Sequence, residues 1–143
     1  MNVETILNTK GRAVITIAPE ATIAEAVALL SDKGIGAVVV SGDAGVLAGI
    51  LSERDIVHAL AKRGAALLTL PVSALMTRQV FTCRAQDSIA ELMAEMTKRR
   101  IRHLPVLEEG RLAGIVSIGD VVKNRLDEVE SEASSLRQFI TSA

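Results

Sequence analysis

At 143 residues, 49% of them hydrophobic, the chain is long enough to bury one compact core or two small ones that share a boundary. Its formal net charge of -1 and its two aromatic rings, Phe81 and Phe139, offer neither long-range attraction for nucleic acid nor a stacking platform for bases, which excludes a nucleic-acid partner. The one cysteine, Cys83, excludes an intrachain disulfide; with no basic-then-apolar leader in Met1–Thr5 and no apolar run of roughly 18 residues or more, the expectation is a soluble, cytoplasmic protein without membrane attachment.

In chain order, residues 1–11 place Val3, Ile6 and Leu7 on one helical face and stop at Gly11. This segment is expected either to join a subunit contact or to cap the first sheet. From residue 12 the chain repeats itself. Val14-Ile15-Thr16 aligns with Val80-Phe81-Thr82, Ile23-Ala24-Glu25 with Ile89-Ala90-Glu91, Ile35 with Ile101 and Val40 with Val106, all 66 residues apart. Past a turn one residue shorter, Leu47-Ala48-Gly49-Ile50 aligns with Leu112-Ala113-Gly114-Ile115, Ser52 with Ser117, Asp55 with Asp120 and Val57 with Val122, now 65 apart.

Each copy, 12–66 and 72–128, reads as strand, helix, strand, strand, helix. Val14 to Ile17 and Val80 to Cys83 are short β-branched-rich strands. The helices that follow carry Ile23, Ala26, Val27 and Leu30, and Ile89, Leu92, Met93 and Met96, at helical spacing. Thr22-x-x-Glu25 and Ser88-x-x-Glu91 are capping boxes at their starts. Gly34 ends the first, and Arg100 holds the matching position in the second. A two-stranded ribbon follows in each copy, 35–40 with 46–51 and 102–107 with 111–116, turning at 41–45 and 108–110. Residues 64–71 connect the copies and lead into a short segment at 72–76. A ribbon with one helix cannot bury both of its faces, so the fold class is α/β, with two tandem βαββα repeats packed around a pseudo-twofold axis. The last helix differs from its counterpart. Val122, Leu126, Val129, Ala133, Leu136 and Ile140 form a heptad stripe that continues through 129–143. The stripe is expected to pair two subunits into a homodimer, the alternative being a helix folded back on its own core.

The chemistry concentrates at one recurring junction, Gly49-Ile50-Leu51-Ser52-Glu53-Arg54-Asp55 and Gly114-Ile115-Val116-Ser117-Ile118-Gly119-Asp120. A serine hydroxyl and free backbone N–H groups at a helix start favour an anion such as phosphate. An aspartate one turn in is an acceptor suited to a ribose diol. The same Ser-x-x-Asp is close to a capping box that only starts the helix, and a duplicated cap would recur too. A second feature is Arg99-Arg100-Ile101-Arg102-His103-Leu104-Pro105-Val106. Lys98 and Arg99 read as a solvated helix end complementing the dipole. Arg102 offers a fork for phosphate and His103 a flat polar face, while Pro105 marks a strand edge. Catalysis finds no footing. His58 and His103 have no nucleophile beside them in sequence, no His-x-x-x-His or Cys-x-x-Cys metal spacing occurs, and Cys83 reads as a small core residue. Gly34-Ile35-Gly36-Ala37 precedes a strand, the wrong context for a dinucleotide loop.

Tandem βαββα units carrying Gly-h-h-Ser-x-x-Asp, with Arg102-His103-Leu104-Pro105-Val106 ahead of the second ribbon, resemble a CBS-domain pair, or Bateman module, of the stand-alone bacterial or archaeal type. The resemblance covers about residues 12–128, and Met76-Thr77-Arg78-Gln79-Val80 adds to it. It implies a disc with two clefts, in which many members hold AMP, ATP, NAD or S-adenosylmethionine. Carried over by position, one cleft uses Ser52, Arg54 and Asp55 with Thr82, Arg102, His103 and Pro105. The other uses Ser117 and Asp120 with Thr16, Ile17, Ala37 and Val38. Gly36, Ala37 and Val39 stand where the second copy has Arg102, His103 and Pro105, so the clefts should not be equivalent. Both motifs carry serine where threonine is commoner in the family. The implied function is a non-catalytic, metal-free adenine-nucleotide sensor, with AMP first and NAD(H) or ATP next. It would signal through the arrangement of the pair or the dimer to a separate effector protein, if one exists. The alternative is a ligand-free interaction or dimerisation module in which the motifs only cap helices.

Overall fold

In the computed structural model, which describes residues 1–142, α1 (Val3–Lys10) opens on a reciprocal cap between Asn2 and Thr5 and stops at Gly11, whose φ of 99° suits a residue without a Cβ. The first repeat follows as β1 (Thr16–Ile17), α2 (Ile23–Lys33), β2 (Ala37–Ser41), β3 (Leu47–Ser52) and α3 (Glu53–Arg63). In its sheet, β1 runs parallel to β2 and β2 antiparallel to β3. The second repeat supplies α4 (Ile89–Arg99), β4 (His103–Glu108), β5 (Arg111–Ser117) and α5 (Ile118–Thr141), with β4 and β5 antiparallel. Thr22 and Ser88 accept the N–H groups of Glu25 and Glu91, so the predicted boxes are made as single caps; neither glutamate returns a bond among the described residues. No helix among these residues is long and apolar enough to cross a membrane.

The strand expected at Val80 to Cys83 contracts to one bridge, Cys83 with Val106. Cys83 donates its N–H to the Pro105 carbonyl (3.0 Å), and Leu107 donates to the Cys83 carbonyl (2.9 Å). The next bond of a parallel ladder would need a donor at position 105, and proline has no N–H to give. The ladder therefore stops, and the chain from Thr77 to Phe81 is free to line a cavity.

Each repeat keeps its own core, and each borrows a lid. The first core packs Ile23, Leu30, Val38, Val40 and Leu51 with Leu67, Val72 and Met76 from the connecting segment. The second packs Ile89, Met96, Leu104, Val106 and Val116 with Val3, Ile6 and Leu7. α1 thus caps the second sheet, not the first as one of the expectations had it. The reason lies in how the two last helices end. α3 stops at Gly64, and the chain folds back through 3-10 turns at Gly64–Thr69 and Val72–Ala74 to cover its own sheet. α5 continues unbroken to Thr141 and cannot turn back, so the second sheet takes its lid from the N-terminal helix. The two dockings use matching bonds. Val72 donates to the Ala21 carbonyl (2.7 Å) and Ile23 to Leu70 (2.9 Å); Val3 donates to Asp87 (3.0 Å) and Ile89 to Met1 (3.3 Å).

The heptad stripe is not folded back. Leu126, Leu136 and Ile140 are 62%, 61% and 65% exposed, and Val122 and Val129 are also open to solvent.

Ile6 is buried beneath the second sheet, and Ile6→Ala should lower unfolding stability by about 2–5 kcal/mol in urea titration although α1 precedes the other repeat in sequence. At Gly49 an added Cβ would stand 2.6 Å from the Thr77 carbonyl oxygen, whereas at Gly114 the closest atom, at 2.7 Å, is the movable end of Leu7. Gly49→Ala should therefore destabilise by about 1–3 kcal/mol, and Gly114→Ala by less, in the same titration.

Candidate functional site

At the end of β3 the backbone of Ser52 is still extended, and α3 begins at the next residue. The Ser52 hydroxyl accepts the Asp55 N–H (3.2 Å), and Asp55 Oδ2 accepts the Ser52 N–H (3.0 Å), a complete reciprocal cap. Capping uses one carboxylate oxygen and leaves Oδ1 without a partner among the described residues. The same aspartate can start the helix and still accept from a ligand.

This helix start opens into a cavity of about 350 Å3 between the repeats. From the first repeat come Gly36, Ala37, Ile50, Ser52, Glu53, Arg54 and Asp55; from the second come Arg100, Ile101, Arg102 and His103, and from the chain entering it Thr77, Gln79, Val80 and Phe81. Gly36 lets the two sides approach: a Cβ there would stand 3.0 Å from Glu53 Oε1, the movable end of a side chain, and 3.6 Å from His103 Cε1, an ordinary contact. Arg54, Arg100 and Arg102 make no side-chain hydrogen bond or ion pair among the described residues. Three arginines and a helix N-terminus thus line the cavity together with Glu53 and Asp55, a set of groups suited to a phosphate on the basic side and a diol at Asp55. Ile50, Ile101, Val80 and Phe81 supply apolar wall for a flat ring. Burial pushes the His103 imidazole below its ordinary value, helped by the Lys10 and Arg102 charges and opposed by Asp120 and Glu53.

Of the residues expected in this cleft, Ser52, Arg54, Asp55, Arg102 and His103 come together, and two do not. Pro105 is buried in β4 opposite Ile115. Thr82 instead faces a neighbouring groove of about 300 Å3 beside Asp87, Glu91 and Glu95. Ala37, expected in the other cleft, lines this one beside its strand partner Ser52. Val38 is buried in the first core, Ile17 packs against that core, and Thr16 is exposed on β1. Ser117 and Asp120 repeat the reciprocal cap at α5, at 2.9 and 3.2 Å. Their surroundings differ, because Lys10 Nζ reaches Asp120 Oδ2 at 2.7 Å and the Ile115 carbonyl at 3.1 Å. Partial burial pushes the Asp120 carboxyl up. The Lys10 hydrogen bond, the two Ser117 hydrogen bonds and the Lys10 charge outweigh that and hold it below the usual carboxylate range.

Among the lining residues that sequence reasoning passed over, with Glu53, Gln79 and Phe81, is Arg100. It is the C-cap of α4, in the left-handed conformation (φ 56°) that Gly34 adopts at the end of α2. An arginine held where its sister repeat has glycine was the available signal. Lys10 gave none, lying 110 residues from its partner. Arg99, by contrast, does what a helix end does, pairing with Glu95 at 2.8 Å while standing 4.0 Å over the Phe81 ring. Cys83 is buried, and burial, with the nearby Asp87 charge, pushes its thiol up to about 12, so it carries no thiolate near neutral pH.

Two βαββα units that face each other across a cleft, the first covered by the segment that follows it and the second by the N-terminal helix, define a CBS pair. The CBS domain family model matches residues 4–62 and 72–127, and the chain belongs to that family. Among curated relatives, it is 33% identical over 123 residues to a mitochondrial CBS domain-containing protein of Arabidopsis thaliana, CBSX3, covering 83% of this chain but 60% of that longer protein. Among solved structures, a CBS-domain containing protein of Agrobacterium tumefaciens is 50% identical with a TM-score of 0.85, over 87% of this chain and 99% of that one. A CBS domain pair solved in complex with methylthioadenosine and S-adenosyl-L-methionine is 26% identical with a TM-score of 0.78, over 90% and 98%.

Replacing the left-handed arginine, Arg100→Gly, should stabilise the fold by about 1 kcal/mol in thermal unfolding, because the steric penalty at that backbone disappears. His103 has its pKa lowered by folding, so the unfolded chain takes up the proton first. Its contribution is complete above about pH 6.5 and is lost as pH falls from there through the window down to the folded value. His103→Gln should flatten that part of a stability-against-pH curve.

Proposed function

We propose that this chain is a non-catalytic, cytoplasmic sensor of adenine nucleotides, AMP first and NAD(H) or ATP next, that binds its ligand in the cleft between the repeats. One observation carries the reading: a helix N-terminus, an aspartate with a spare carboxylate oxygen and three unpaired arginines converge on one cavity from both copies. Phosphate goes to the α3 N-terminus, Ser52 and the arginine forks, the ribose diol to Asp55 Oδ1, and the base to the apolar wall beside His103. That a CBS pair of similar fold was solved with two adenosine compounds supports the ligand class. A non-catalytic role is supported by the burial of Cys83, whose thiol is pushed up to about 12 and stays protonated near neutral pH. Because both repeats line the cavity, a ligand that fits one relative arrangement better shifts the pair toward it. The exposed stripe of α5 suits a homodimer through which such a shift reaches a separate effector protein.

The test is a thermal melt with AMP, ATP and NAD. The bound ligand at about 100 times its Kd should stabilise the protein by about 2.7 kcal/mol. Arg102→Ala should weaken AMP binding by roughly 10- to 150-fold, the equivalent of about 1.5–3 kcal/mol for hydrogen bonds to a charged group, with little change in the unliganded melt. Asp55→Ala should weaken binding similarly and also lower the unliganded stability by about 1 kcal/mol through the lost cap.

The α5 stripe also favours a second reading, a dimerisation module that needs no ligand. Leu126→Glu with Leu136→Glu should give a monomer in sedimentation. Unmoved melts with every nucleotide, together with a stable wild-type dimer, would leave this second reading in possession.

A further inference from the structure

The two Ser-x-x-Asp caps are near copies, yet only one carries an ammonium ion on its capping carboxylate oxygen. Val3 and Val72 make corresponding bonds, and Leu7 and Met76 crowd corresponding glycines, Gly114 and Gly49, each pair 69 residues apart. By that correspondence Lys10 is the counterpart of Gln79, which lines the first cavity. The chain runs differently at the two places. Beyond Met76 it is extended, and Thr77 exchanges both backbone bonds with Ile50, at 3.0 and 2.8 Å. Beyond Leu7 it is still helical to Lys10, so no backbone reaches Ile115, the equivalent of Ile50. The Lys10 side chain makes the connection instead. Its ammonium sits 3.1 Å from the Ile115 carbonyl and 2.7 Å from Asp120 Oδ2, the oxygen that also accepts from Ser117.

An ammonium so placed does to Asp120 what a sugar hydroxyl would do, donating to it, and it adds a full positive charge. Asp120 Oδ1 has no partner among the described residues, but a diol reaching it would have to fit beside an ammonium already held by Oδ2 and the Ile115 carbonyl. Lys10 is no free phosphate ligand either, since its charge is met by Asp120 and a second of its three donors is spent on Ile115. We propose that Lys10 is a built-in occupant of the second cleft, so that each chain takes one nucleotide where its duplicated motifs would allow two. The closure comes from α1, the same helix that caps the second core, and it rests on the nucleotide-binding reading above.

The experiment is a count of AMP bound per chain by calorimetry and equilibrium dialysis, on the full chain and on Lys10→Gln, which gives the second cleft the residue the first one carries. Lys10→Met keeps the aliphatic stem and guards against a fold defect, and a melt of each variant without ligand confirms that α1 still docks. The wild type should bind one AMP, Lys10→Gln and Lys10→Met two, and Lys10→Gln/Asp120→Ala one again. A gain of one AMP on removing the ammonium upholds the closure even if the wild type binds none, in which case it is the assignment of the first cleft that fails. One AMP in wild type and both single variants overturns the closure and leaves the first cleft standing. Two AMP in the wild type, or a loss of binding on removing the ammonium, overturns the closure as well. No AMP bound by any form overturns both.

Discussion

The molecule is organised by the way its two small sheets are covered. Neither repeat can complete its core alone, because a short ribbon and one helix leave one sheet face open to water. The first repeat closes that face with residues that follow it, Leu67, Val72 and Met76; the second closes it with Val3, Ile6 and Leu7 from the far end of the chain. The helix that begins the chain is therefore anchored on the repeat that ends it, and the two repeats are held as a pair. Apolar burial gives this contact its strength, and paired backbone bonds give it its register.

The cavity between the repeats follows from the same arrangement. Once the connecting segment has covered the first sheet, its continuation from Thr77 to Phe81 must cross the seam toward the second repeat. Pro105 denies it a full strand there, so it forms cavity wall instead. The cavity then collects what each half holds at its edge: the capped start of α3 on one side, and the end of α4 with the entrance of β4 on the other. Arg100 shows that the position outweighs local comfort. Its sister residue is a glycine, yet an arginine is kept in a left-handed backbone where it lines the cavity.

Much of this was legible in the residues. The duplication, both α/β repeats, the helix caps and the ribbon turns all rest on local chemistry: periodicity, turn residues and side chains that bond their own backbone. The repeat pattern placed Ser52, Arg54, Asp55, Arg102 and His103 at element ends, but their grouping into one cleft came only from the resemblance to CBS pairs. Thr82 was not separable from them, because alternation along a strand is lost where the strand itself fails to form, and Pro105, within the well-formed β4, is simply buried. Val38 reads like a cleft residue by position, but the pleat turns it into the core.

What the sequence determined by itself is the set of short-range choices: two βαββα units, reciprocal Ser-x-x-Asp caps and a last helix with an apolar stripe. Each depends on residues within a few positions of one another, where backbone geometry leaves few options. Tertiary structure alone decided which sheet α1 covers and that Lys10 meets Asp120. It also decided that one duplicated cap faces an open cavity while its twin holds an ammonium ion. Those outcomes join groups up to 110 residues apart. They turn on whether a chain folds back at Gly64 or runs on as helix to Thr141, a difference that reaches the clefts only through packing.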